Sequence, residues 1–366
     1  MSTDEYQAAG LYDPHAPNAA DRLALLEWLA ARGARLDQMV RAHREGWLDG
    51  LAADLALHPP QQDLTLAEVA RLAGITPARL EEIRLAAGLP PLDPEDHVFS
   101  ADDALGYASF APAAQLLGNQ AARRFSRIAG SSLARIAEAA VSLFRVHIEG
   151  PLRAARSSEV ALAEANAHAI ETLRVVPVAL QALFRGHFDV AMRRLRQSRP
   201  GKSVDTARLA IGFVDLVGFT TLSRSMEPRD LAEMIERFED TSHEVATANH
   251  GRVVKLIGDE VMFVAVDPTA ACEIALTIVE RVVDDASVTP RGGLAFGEVI
   301  VRGGDYLGPL VNLAARLAEL AVPNELLVTP EVAAHAGRDR LRFEPAGKRL
   351  PKGFDEPVSL LTLERP

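Results

Sequence analysis

The sequence predicts an α+β domain preceded by an all-α domain, because the pattern of apolar residues changes along the chain. Within residues 1–200, Ala, Leu and Arg recur at i, i+3 and i+4 spacing with almost no alternating stretches, which is typical of helices. From Arg208 onward, short apolar runs alternate with amphipathic segments, which is typical of strands followed by helices. Because a chain of 366 residues is longer than one hydrophobic core usually organises, we expect two domains.

Composition restricts the class of protein before any motif is considered. Cys272 is the single cysteine, so no intrachain disulfide can form. No uncharged apolar stretch reaches the roughly 18–20 residues of a transmembrane helix, and no basic-then-apolar leader begins the chain. The net charge of −11 does not favour broad attraction to polyanions. We therefore expect a cytoplasmic protein without a membrane span and without a nucleic-acid partner.

The all-α half is predicted from helical periodicity and from helix-ending residues. Gly74 and Gly88 mark two helix ends, and Ser100 with Asp103 has the pattern of a capping box. The first twenty residues are rich in Ala, Asp, Pro and Tyr, and we expect them to form a loose arm. The predicted helices run over residues 21–32, 36–45, 47–56, 66–73, 77–87, 101–108, 113–147 and 158–197.

Residues 65–88 resemble a winged helix-turn-helix of the MerR type in their turn and apolar spacing. Such a module would make the protein a DNA-binding transcription regulator, which is one alternative function. Its second helix, however, would present Glu81 and Glu82 to DNA phosphates, where groove-reading helices need a basic or amide-rich face. We therefore expect this segment to be a packing module.

Seven of the ten histidines precede residue 200, and histidine changes its charge between about pH 5 and 8. His147, His168 and His187 lie in the last two predicted helices and are the regulatory candidates for a pH-dependent switch. The alternative is that each is simply solvated or hydrogen-bonded. The final helix suits either pairing with its copy or packing in a core. The Ala- and Leu-rich helices would also suit an apolar ligand such as a fatty acid.

Two apolar runs in the second half each lead to an aspartate, Asp215 in residues 213–220 and Asp259 in residues 255–260. Burial of an unpaired charge is costly, so these carboxylates are poorly suited to a core. The βαββαβ order predicts a ferredoxin-like sheet, in which the first strand lies beside the hairpin and brings the two aspartates together. The predicted strands are residues 209–215, 253–257, 260–266, 293–301 and 326–329, and the predicted helices are 229–249, 268–286 and 309–320.

The chemistry expected at these aspartates is the binding of a metal and an anion. Two adjacent carboxylates repel each other unless a cation neutralises them, and an all-oxygen ligand set favours Mg²⁺ or Mn²⁺ over zinc. In the turn after Asp215, Gly218 allows successive backbone N–H groups, those of Phe219 and Thr220 included, to point at an anion. A metal beside an anion site indicates a nucleoside triphosphate.

These two motifs, together with Asp305 and residues 312–316, resemble the signature of class III nucleotidyl cyclases over about residues 205–366. The resemblance implies an adenylate cyclase that forms 3′,5′-cyclic AMP and pyrophosphate from ATP at sites shared by two copies of the chain, a homodimer. It implies that two divalent ions, Mg²⁺ or Mn²⁺, are held by Asp215, Asp259 and the backbone of Leu216, that Lys255 and Asp305 bind adenine, that Asn312 and Arg316 stabilise the transition state, and that Lys352 contacts phosphate.

The residue types agree with these implied roles. Adenine offers an acceptor at N1 and a donor at N6, which a lysine and an aspartate complement, whereas guanylate-specific relatives carry Glu and Cys. Asn312 and Arg316 are spaced i, i+4 and therefore share a helix face. A guanylate-type cyclase and an inactive binding member of the family remain alternatives. The hairpin of residues 257–263 also resembles that of diguanylate cyclases, but it lacks their second glycine.

The all-α half resembles the autoinhibitory regulatory domain of pH-responsive actinobacterial cyclases, which implies regulation of the second half by the first. We accordingly assign residues 1–196 to a regulatory domain, 197–206 to a linker and 207–366 to a catalytic domain. The sequence does not indicate whether pH, a lipid or another signal acts on the regulatory domain.

Overall fold

The chain divides into two units in the computed structural model, Met1–Phe184 and Arg185–Pro366. The structure describes residues 1–57, 64–197, 205–283 and 288–366, so most of the predicted linker at 197–206 lies outside the described residues. The first unit is all-α and the second contains the β-sheet, which confirms the predicted fold class. In the described ranges, no helix is both long enough and apolar enough to cross a bilayer.

The helices that precede the sheet are mostly short, with three longer ones among the last four, and the final helix continues past Phe184 into the second unit. A 3₁₀ turn at Leu48–Gly50 leads into the fourth helix, and a π-helical turn at Arg145–Glu149 separates the ninth from the tenth. The helices are α1 Thr3–Ala8, α2 Ala19–Ala31, α3 Leu36–Arg44, α4 Leu51–Leu57, α5 Leu66–Leu72, α6 Pro77–Ala86, α7 Ala101–Ala108, α8 Phe110–Leu117, α9 Asn119–Phe144, α10 Gly150–Ala154, α11 Glu159–Leu173 and α12 Val176–Gln197.

The expectation of a loose N-terminal arm is wrong. Ser2 and Glu5 form a capping box that starts α1, and Tyr6 is only 1% exposed. The Tyr6 hydroxyl donates a hydrogen bond to the carbonyl of Leu26, and Leu11 is buried in the same core. Burial of these two apolar side chains offsets the entropy cost of ordering the segment.

The two longest predicted helices are each divided in the structure. Gly118 separates α8 from α9 with a φ of +83°, a left-handed conformation that glycine adopts without strain. A turn at residues 174–175 separates α11 from α12. Apolar periodicity continues across both breaks, which is why the sequence pattern did not reveal them.

The helix-turn-helix-like segment forms α5 and α6, and α6 packs against α9. Leu80 and Ile83 of α6 are buried, and the carboxylate of Glu82 accepts a hydrogen bond from Arg123 of α9 at 2.8 Å. A Cβ on Gly130 of α9 would lie 2.1 Å from the Ala87 carbonyl oxygen. This close approach agrees with a packing module.

The second unit is one sheet with helices on both faces. Its strands occur in the order β2-β3-β1-β4-β6-β8-β7, with β5 paired to β4, and β1 is antiparallel to both β3 and β4. The elements are β1 Thr206–Val217, α13 Phe219–Leu222, α14 Pro228–Ala248, β2 Arg252–Ile257, β3 Glu260–Ala265, α15 Pro268–Val283, β4 Thr289–Arg302, β5 Asp305–Leu307, α16 Pro309–Leu320, β6 Leu326–Val328, α17 Pro330–His335, β7 Arg342–Arg349 and β8 Val358–Glu364.

The first four strands, in the order β2-β3-β1-β4, form the predicted ferredoxin-like βαββαβ unit. The sequence pattern did not predict β5, β7 or β8. Strand β7 contains Pro345 and Gly347 at a register shift and is largely exposed, so it lacks the apolar alternation of the central strands. These added strands extend the sheet beyond β4.

Alternation along β1 separates the two faces of the sheet. Ala210, Val214 and Leu216 face the core beneath α14 and α15, whereas the alternate residues Ile211 and Phe213 face the core beneath α16. Asp215 follows the same alternation and therefore lies on the α16 face.

Helix α16 approaches strand β4 closely at a glycine. A Cβ on Gly293 would lie 2.4 Å from the backbone nitrogen of Ala318 and 2.5 Å from the carbonyl oxygen of Ala314. Only glycine permits this approach, which fixes the position of α16 on the sheet.

Candidate active site

The structure brings Asp215 and Asp259 together at the end of β1. The backbone N–H of Leu216 donates to the Asp259 carbonyl at 3.2 Å, and Asp215 is the register partner of Glu260 in β3. Because the N–H and C=O of one strand residue point to the same side, the Leu216 carbonyl lies on the side of Asp259. We call Asp215, Asp259 and Glu260 the acidic group.

The acidic group shows the repulsion expected of carboxylates at close range. Burial raises the pKa of Asp259, and the Asp215 charge acts in the same direction. Burial raises the pKa of Glu260 to about 7, with further contributions from Asp215, Glu319 and Asp259. Sequence reasoning assigned Glu260 no role. The sequence feature that could have identified Glu260 is a second carboxylate directly after Asp259, at the start of the buried strand β3.

The acidic group fits a hard divalent cation through its donor chemistry. The oxygen donors that it offers are carboxylates and the Leu216 carbonyl, and a cation would relieve the repulsion that helps to raise the pKa values of Asp259 and Glu260. Within the residues described, no three His, Cys, Asp or Glu side chains converge as a complete metal site. The remaining ligands would therefore come from a bound phosphate or from water.

Asp215 has a register partner on each side in the sheet, Glu260 of β3 and Arg291 of β4. The sequence analysis did not identify Arg291. Its Nε and Nη2 donate to Oδ2 of Asp215 at 3.0 and 2.8 Å. Its Nη1 donates to the carbonyls of Glu319 and Ala321, at 2.7 and 3.2 Å. The sequence feature that could have identified Arg291 is a single basic residue directly before the apolar run of β4.

The turn after Asp215 has the backbone conformation expected of a glycine-dependent turn. Gly218 has a φ of +82°, and the Leu222 N–H donates to its carbonyl at 3.0 Å. Phe219 begins α13 and packs partly buried against the core. The side chain of Thr220 lies outside the described part of the structure.

Lys255 and Asp305 form an ion pair between β2 and β5. Their Nζ and Oδ2 atoms are 2.7 Å apart, and the side chains are 40% and 39% exposed. Burial acts to raise the pKa of Asp305, but the hydrogen bond and charge of Lys255 outweigh it, so the pKa is lowered. Arg252 donates to the Gly304 carbonyl at 2.8 Å and stacks over Tyr306, which fastens the β4–β5 hairpin to β2.

Asn312 and Arg316 lie on the face of α16 that points away from the sheet. Asn312 is exposed, and its backbone N–H donates to the carbonyl of Gly308, the N-cap residue. The guanidinium of Arg316 pairs with Glu319 one turn later. Because the Glu319 charge also acts on Glu260, this pair lies near the acidic group.

The other candidates make no polar contact with the acidic group among the described residues. In the described ranges, no hydrogen bond or ion pair joins the acidic group to Lys255 or Asp305. Lys352 is exposed in the connection between β7 and β8. The three regulatory candidates, His147, His168 and His187, all lie in helices that precede the sheet and are exposed.

A different histidine takes part in a polar cluster of the first unit. The Nδ1 atom of His43 in α3 lies 3.2 Å from the Nη1 atom of Arg22. Together they line a cavity of about 320 Å³ with Asp49, Arg153 and Glu159. Sequence reasoning did not single out His43, because the contact joins helices that are distant in the chain.

The amino-acid sequence is similar to those of one known protein family. The model of the adenylate and guanylate cyclase catalytic domain matches residues 202–360. An uncharacterised protein of Mycobacterium tuberculosis is 31% identical over 99% of this chain and 94% of its own length. An adenylate cyclase of Streptomyces coelicolor is 36% identical over 62% of this chain and 59% of its own length. A pH-sensitive adenylate cyclase of Mycobacterium tuberculosis is 27% identical over 94% of this chain and 88% of its own length. The chain therefore belongs to the class III nucleotidyl cyclase family.

Proposed function

We propose that this protein is an adenylate cyclase that converts ATP to 3′,5′-cyclic AMP and pyrophosphate. The Lys255–Asp305 pair carries the proposal, because it presents a cationic donor beside a carboxylate acceptor. After their mutual hydrogen bond, the ammonium retains two N–H donors and the carboxylate retains lone pairs. These groups complement N1 and N6 of adenine, whereas guanine presents the opposite pattern. Relatives named as adenylate cyclases support the same substrate.

The acidic group would hold the divalent ions of the reaction. Asp215, Asp259 and the Leu216 carbonyl are the ligands, and Mg²⁺ or Mn²⁺ bound there would lower the pKa of the ribose 3′-hydroxyl and neutralise the triphosphate. The backbone N–H groups around Gly218 and Phe219, together with that of Thr220, would donate hydrogen bonds to the phosphates. Lys352 would reach the triphosphate only if its exposed loop lies over the bound nucleotide.

Arg316 and Asn312 would act on the reacting phosphoryl group. As the 3′-oxygen attacks and pyrophosphate leaves, negative charge grows on the oxygens of the α-phosphate. A guanidinium can meet that charge with two parallel hydrogen bonds. Since Arg316 pairs with Glu319, substrate binding would exchange that carboxylate for phosphate.

The active protein would be a homodimer in which each nucleotide spans two chains. Within one chain, no hydrogen bond joins the acidic group to the Lys255–Asp305 pair in the described ranges. A two-fold dimer would bring the acidic group of one chain to the adenine pair and to α16 of the other, forming two equivalent sites.

The decisive experiment measures cyclic AMP and cyclic GMP formed by the full chain from ATP and GTP with Mn²⁺. Cyclic AMP is the expected product. Cyclic GMP as the main product would indicate a guanylate-type enzyme, and the lack of both products would contradict cyclase activity.

Complementation tests the shared site. Asp215→Ala and Arg316→Ala chains should each be inactive, whereas an equal mixture should recover about a quarter of the parent activity, because half of the dimers are mixed and each of those has one intact site. An inactive mixture that still forms mixed dimers would argue against shared sites. Exposed Asp240 of α14 provides the control variant Asp240→Ala.

Regulation of this activity by pH is the second part of the proposal. The relative named as pH-sensitive is similar over nearly the whole chain, regulatory half included. The exposed histidines His147, His168 and His187 are candidates from the sequence, and the His43–Arg22 contact is a candidate from the structure. Protonation of such groups would change the packing of the helical half and raise activity at mildly acid pH.

A further inference from the structure

Strand β2 contains an extra residue that places two basic side chains on the same face of the sheet. Arg252 is the register partner of Val264 in β3, and Lys255 is the register partner of Met262. The register shifts between these two pairs, so β2 has one residue more than β3 there. Residues three apart on a regular strand point to opposite faces, whereas a bulge residue returns them to one face. Both partners in β3 belong to the core beneath α16, so Arg252 and Lys255 lie on that face.

Both basic residues contact the β4–β5 hairpin, which carries Asp305. Gly303 and Gly304 form its turn with φ values of +64° and +82°, as a two-residue hairpin turn requires. Asp305 is the first residue after this turn, and β5 pairs with β4 over only three residues. Because so short a pairing is weak by itself, contacts from β2 determine how firmly Asp305 is held.

Arg252 contacts the residues on either side of Asp305. Its Nη2 donates to the Gly304 carbonyl at 2.8 Å, and its guanidinium lies 5.4 Å from the ring centroid of Tyr306, which is 5% exposed. The Asp305 carboxylate accepts from the Tyr306 N–H at Oδ1, at 2.8 Å, and from Lys255 at Oδ2, at 2.7 Å. The orientation of this carboxylate therefore depends on the backbone that Arg252 holds.

The environment of Nε shows that these contacts orient the Arg252 side chain. Nε of Arg252 is buried and, within the part of the chain that the structure describes, has no hydrogen-bond partner. An arginine free to rotate would keep this donor in water, because a buried unpaired donor costs free energy. The contacts with Gly304 and Tyr306 therefore outweigh that cost.

We propose that Arg252 is a positioning residue for the nucleotide specificity of this enzyme. By fixing Gly304 and Tyr306, it holds the Asp305 carboxylate where it accepts a hydrogen bond from N6 of adenine and repels O6 of guanine. The inference rests on the proposed function, in which Lys255 and Asp305 bind the base. Loss of Arg252 then weakens recognition of the base and leaves binding of the triphosphate unchanged.

Two other roles for Arg252 predict different results. If its positive charge attracts the nucleotide, its removal weakens the binding of inorganic tripolyphosphate as well, and Arg252→Lys restores binding. If Arg252 only stabilises the fold, its removal lowers the unfolding temperature without changing the preference for adenine. Positioning predicts that Arg252→Lys keeps only part of the preference, because an ammonium cannot replace a planar guanidinium that contacts Gly304 and Tyr306 together.

Arg208 of β1 offers a matched control on the opposite face of the sheet. Its guanidinium lies 5.0 Å from the ring centroid of Phe296, and both arginines are partly buried. Phe296 belongs to the core beneath α14 and α15, whereas Tyr306 belongs to the core beneath α16. Arg208→Met therefore removes a contact between an arginine and a ring without touching the hairpin.

The experiment is a calorimetric titration of the full chain in Mn²⁺ with three probes: 3′-deoxy-ATP, 3′-deoxy-GTP and inorganic tripolyphosphate. Neither nucleotide can be cyclised, because the attacking hydroxyl is missing. We expect the parent to prefer 3′-deoxy-ATP and Arg252→Met to lower that preference by about 10-fold, the size expected for one hydrogen bond to a charged group. Arg252→Lys should give an intermediate preference, and tripolyphosphate should bind equally to all chains.

A double variant tests whether Arg252 acts through Asp305. In a chain that carries Asp305→Ala, the addition of Arg252→Met should change the preference by about twofold or less, because the group that Arg252 positions is absent. A further loss of about 10-fold would mean that Arg252 acts on the nucleotide by another route and would contradict the inference.

Four results of the titrations would overturn the inference. Arg252→Met could keep the preference of the parent, Arg252→Lys could match the parent, tripolyphosphate binding could fall in parallel, or Arg208→Met could lower the preference to the same degree. Thermal unfolding identifies any variant that fails to fold, and if Arg252→Met fails, Arg252→Lys decides.

The parent chain separates failure of the inference from failure of the proposed function. A parent that binds 3′-deoxy-GTP as tightly as 3′-deoxy-ATP would contradict the proposed function, and the inference with it. A parent that prefers 3′-deoxy-ATP, beside an Arg252→Met chain with the same preference, would contradict the inference alone.

Discussion

At the scale of single residues, the candidate site depends on charges that are incompletely neutralised. Asp215 is paired with Arg291, whereas Asp259 and Glu260 have raised pKa values because they are partly buried near other carboxylates. Lys255 and Asp305 neutralise each other and remain accessible. The first group is suited to a cation and the second pair to a neutral base with a donor and an acceptor.

Exchange of the adenine pair should change nucleotide preference. Lys255→Glu with Asp305→Cys presents an acceptor where a donor stood and a weak donor where an acceptor stood, which suits guanine. We expect ATP turnover to fall by about 100-fold or more and GTP turnover to become the larger of the two. The measurement is the ratio of cyclic AMP to cyclic GMP from equal nucleotide concentrations, with Lys255→Glu alone as the comparison. An unchanged ratio would count against the base-binding assignment.

The raised pKa of Glu260 predicts a pH-dependent stability of the metal-free protein. Because its folded-state pKa of about 7 exceeds the ordinary value of 4.5, its contribution to stability is fully present below about pH 4.5 and is lost as the pH rises through 7. Glu260→Gln should therefore stabilise the protein relative to the parent at pH 8 more than at pH 5. We expect a difference on the order of 1–2 kcal/mol, reduced by solvent screening of this partly exposed group.

Urea unfolding in the presence of a chelator measures this difference. Glu236→Gln, on the exposed face of α14, controls for the loss of one charge. Addition of Mn²⁺ should reduce the advantage of Glu260→Gln, because a bound cation favours the charged carboxylate. If Glu260→Gln raised the free energy of unfolding equally at both pH values, the raised pKa of Glu260 would be contradicted.

At the scale of elements, the position of α16 determines which side chains would face the nucleotide in the proposed site. Its apolar residues Ala314, Leu317 and Ala318 are buried, and its opposite face carries Asn312 and Arg316. Gly293 allows the helix backbone to lie directly on β4. A displacement of the helix by one side-chain radius would move the proposed transition-state residues away from the phosphate.

A methyl group at Gly293 should therefore impair both stability and catalysis. Gly293→Ala places a Cβ 2.4 Å from the Ala318 nitrogen, so the helix must shift, at a cost of about 1–3 kcal/mol in unfolding free energy. Gly297→Ala on the same strand meets only the flexible end of Leu310 at 3.3 Å and serves as the control. Unfolding midpoints and kcat for both variants test the prediction. Equal effects of the two substitutions would be inconsistent with a specific role of Gly293.

At the scale of the whole molecule, the helical half provides polar contacts that depend on protonation. The hydrogen bond from Arg22 to His43 requires an unprotonated Nδ1, and the surrounding charges are Asp49, Arg153 and Glu159. Within the part of the chain that the structure describes, Nε of Arg22 and Oε2 of Glu159 are buried and have no hydrogen-bond partner. Protonation of His43 would replace an acceptor by a second cation in a cluster that is already incompletely paired.

Replacement of His43 by an uncharged acceptor should reduce the response of activity to pH. In the full chain, His43→Asn retains an acceptor for Arg22 but cannot be protonated, so we expect a smaller increase in cyclic AMP formation between pH 8 and 6 than in the parent. His15→Asn, at an exposed position that is not one of the regulatory candidates, is the comparison. If the pH profile of His43→Asn matched that of the parent, the Arg22 contact would not take part in the response.

Much of this architecture could be predicted because it depends on local patterns. The apolar runs around Asp215 and Asp259, the βαββαβ order and the i, i+4 spacing of Asn312 and Arg316 are all visible in the sequence, and the fold class was confirmed. Strands β7 and β8 were missed, as were the breaks at Gly118 and residues 174–175. These features depend on pairing with distant strands and on helix packing, which periodicity does not record.

The sequence by itself determined the family signature, the two-domain organisation and the residue types of the candidate site. Only the tertiary structure decided that Arg291 binds Asp215, that Glu260 joins the acidic group, and that His43 contacts Arg22. The physical reason is that these contacts join residues distant along the chain. Their energies depend on burial and distance, which the fold alone sets.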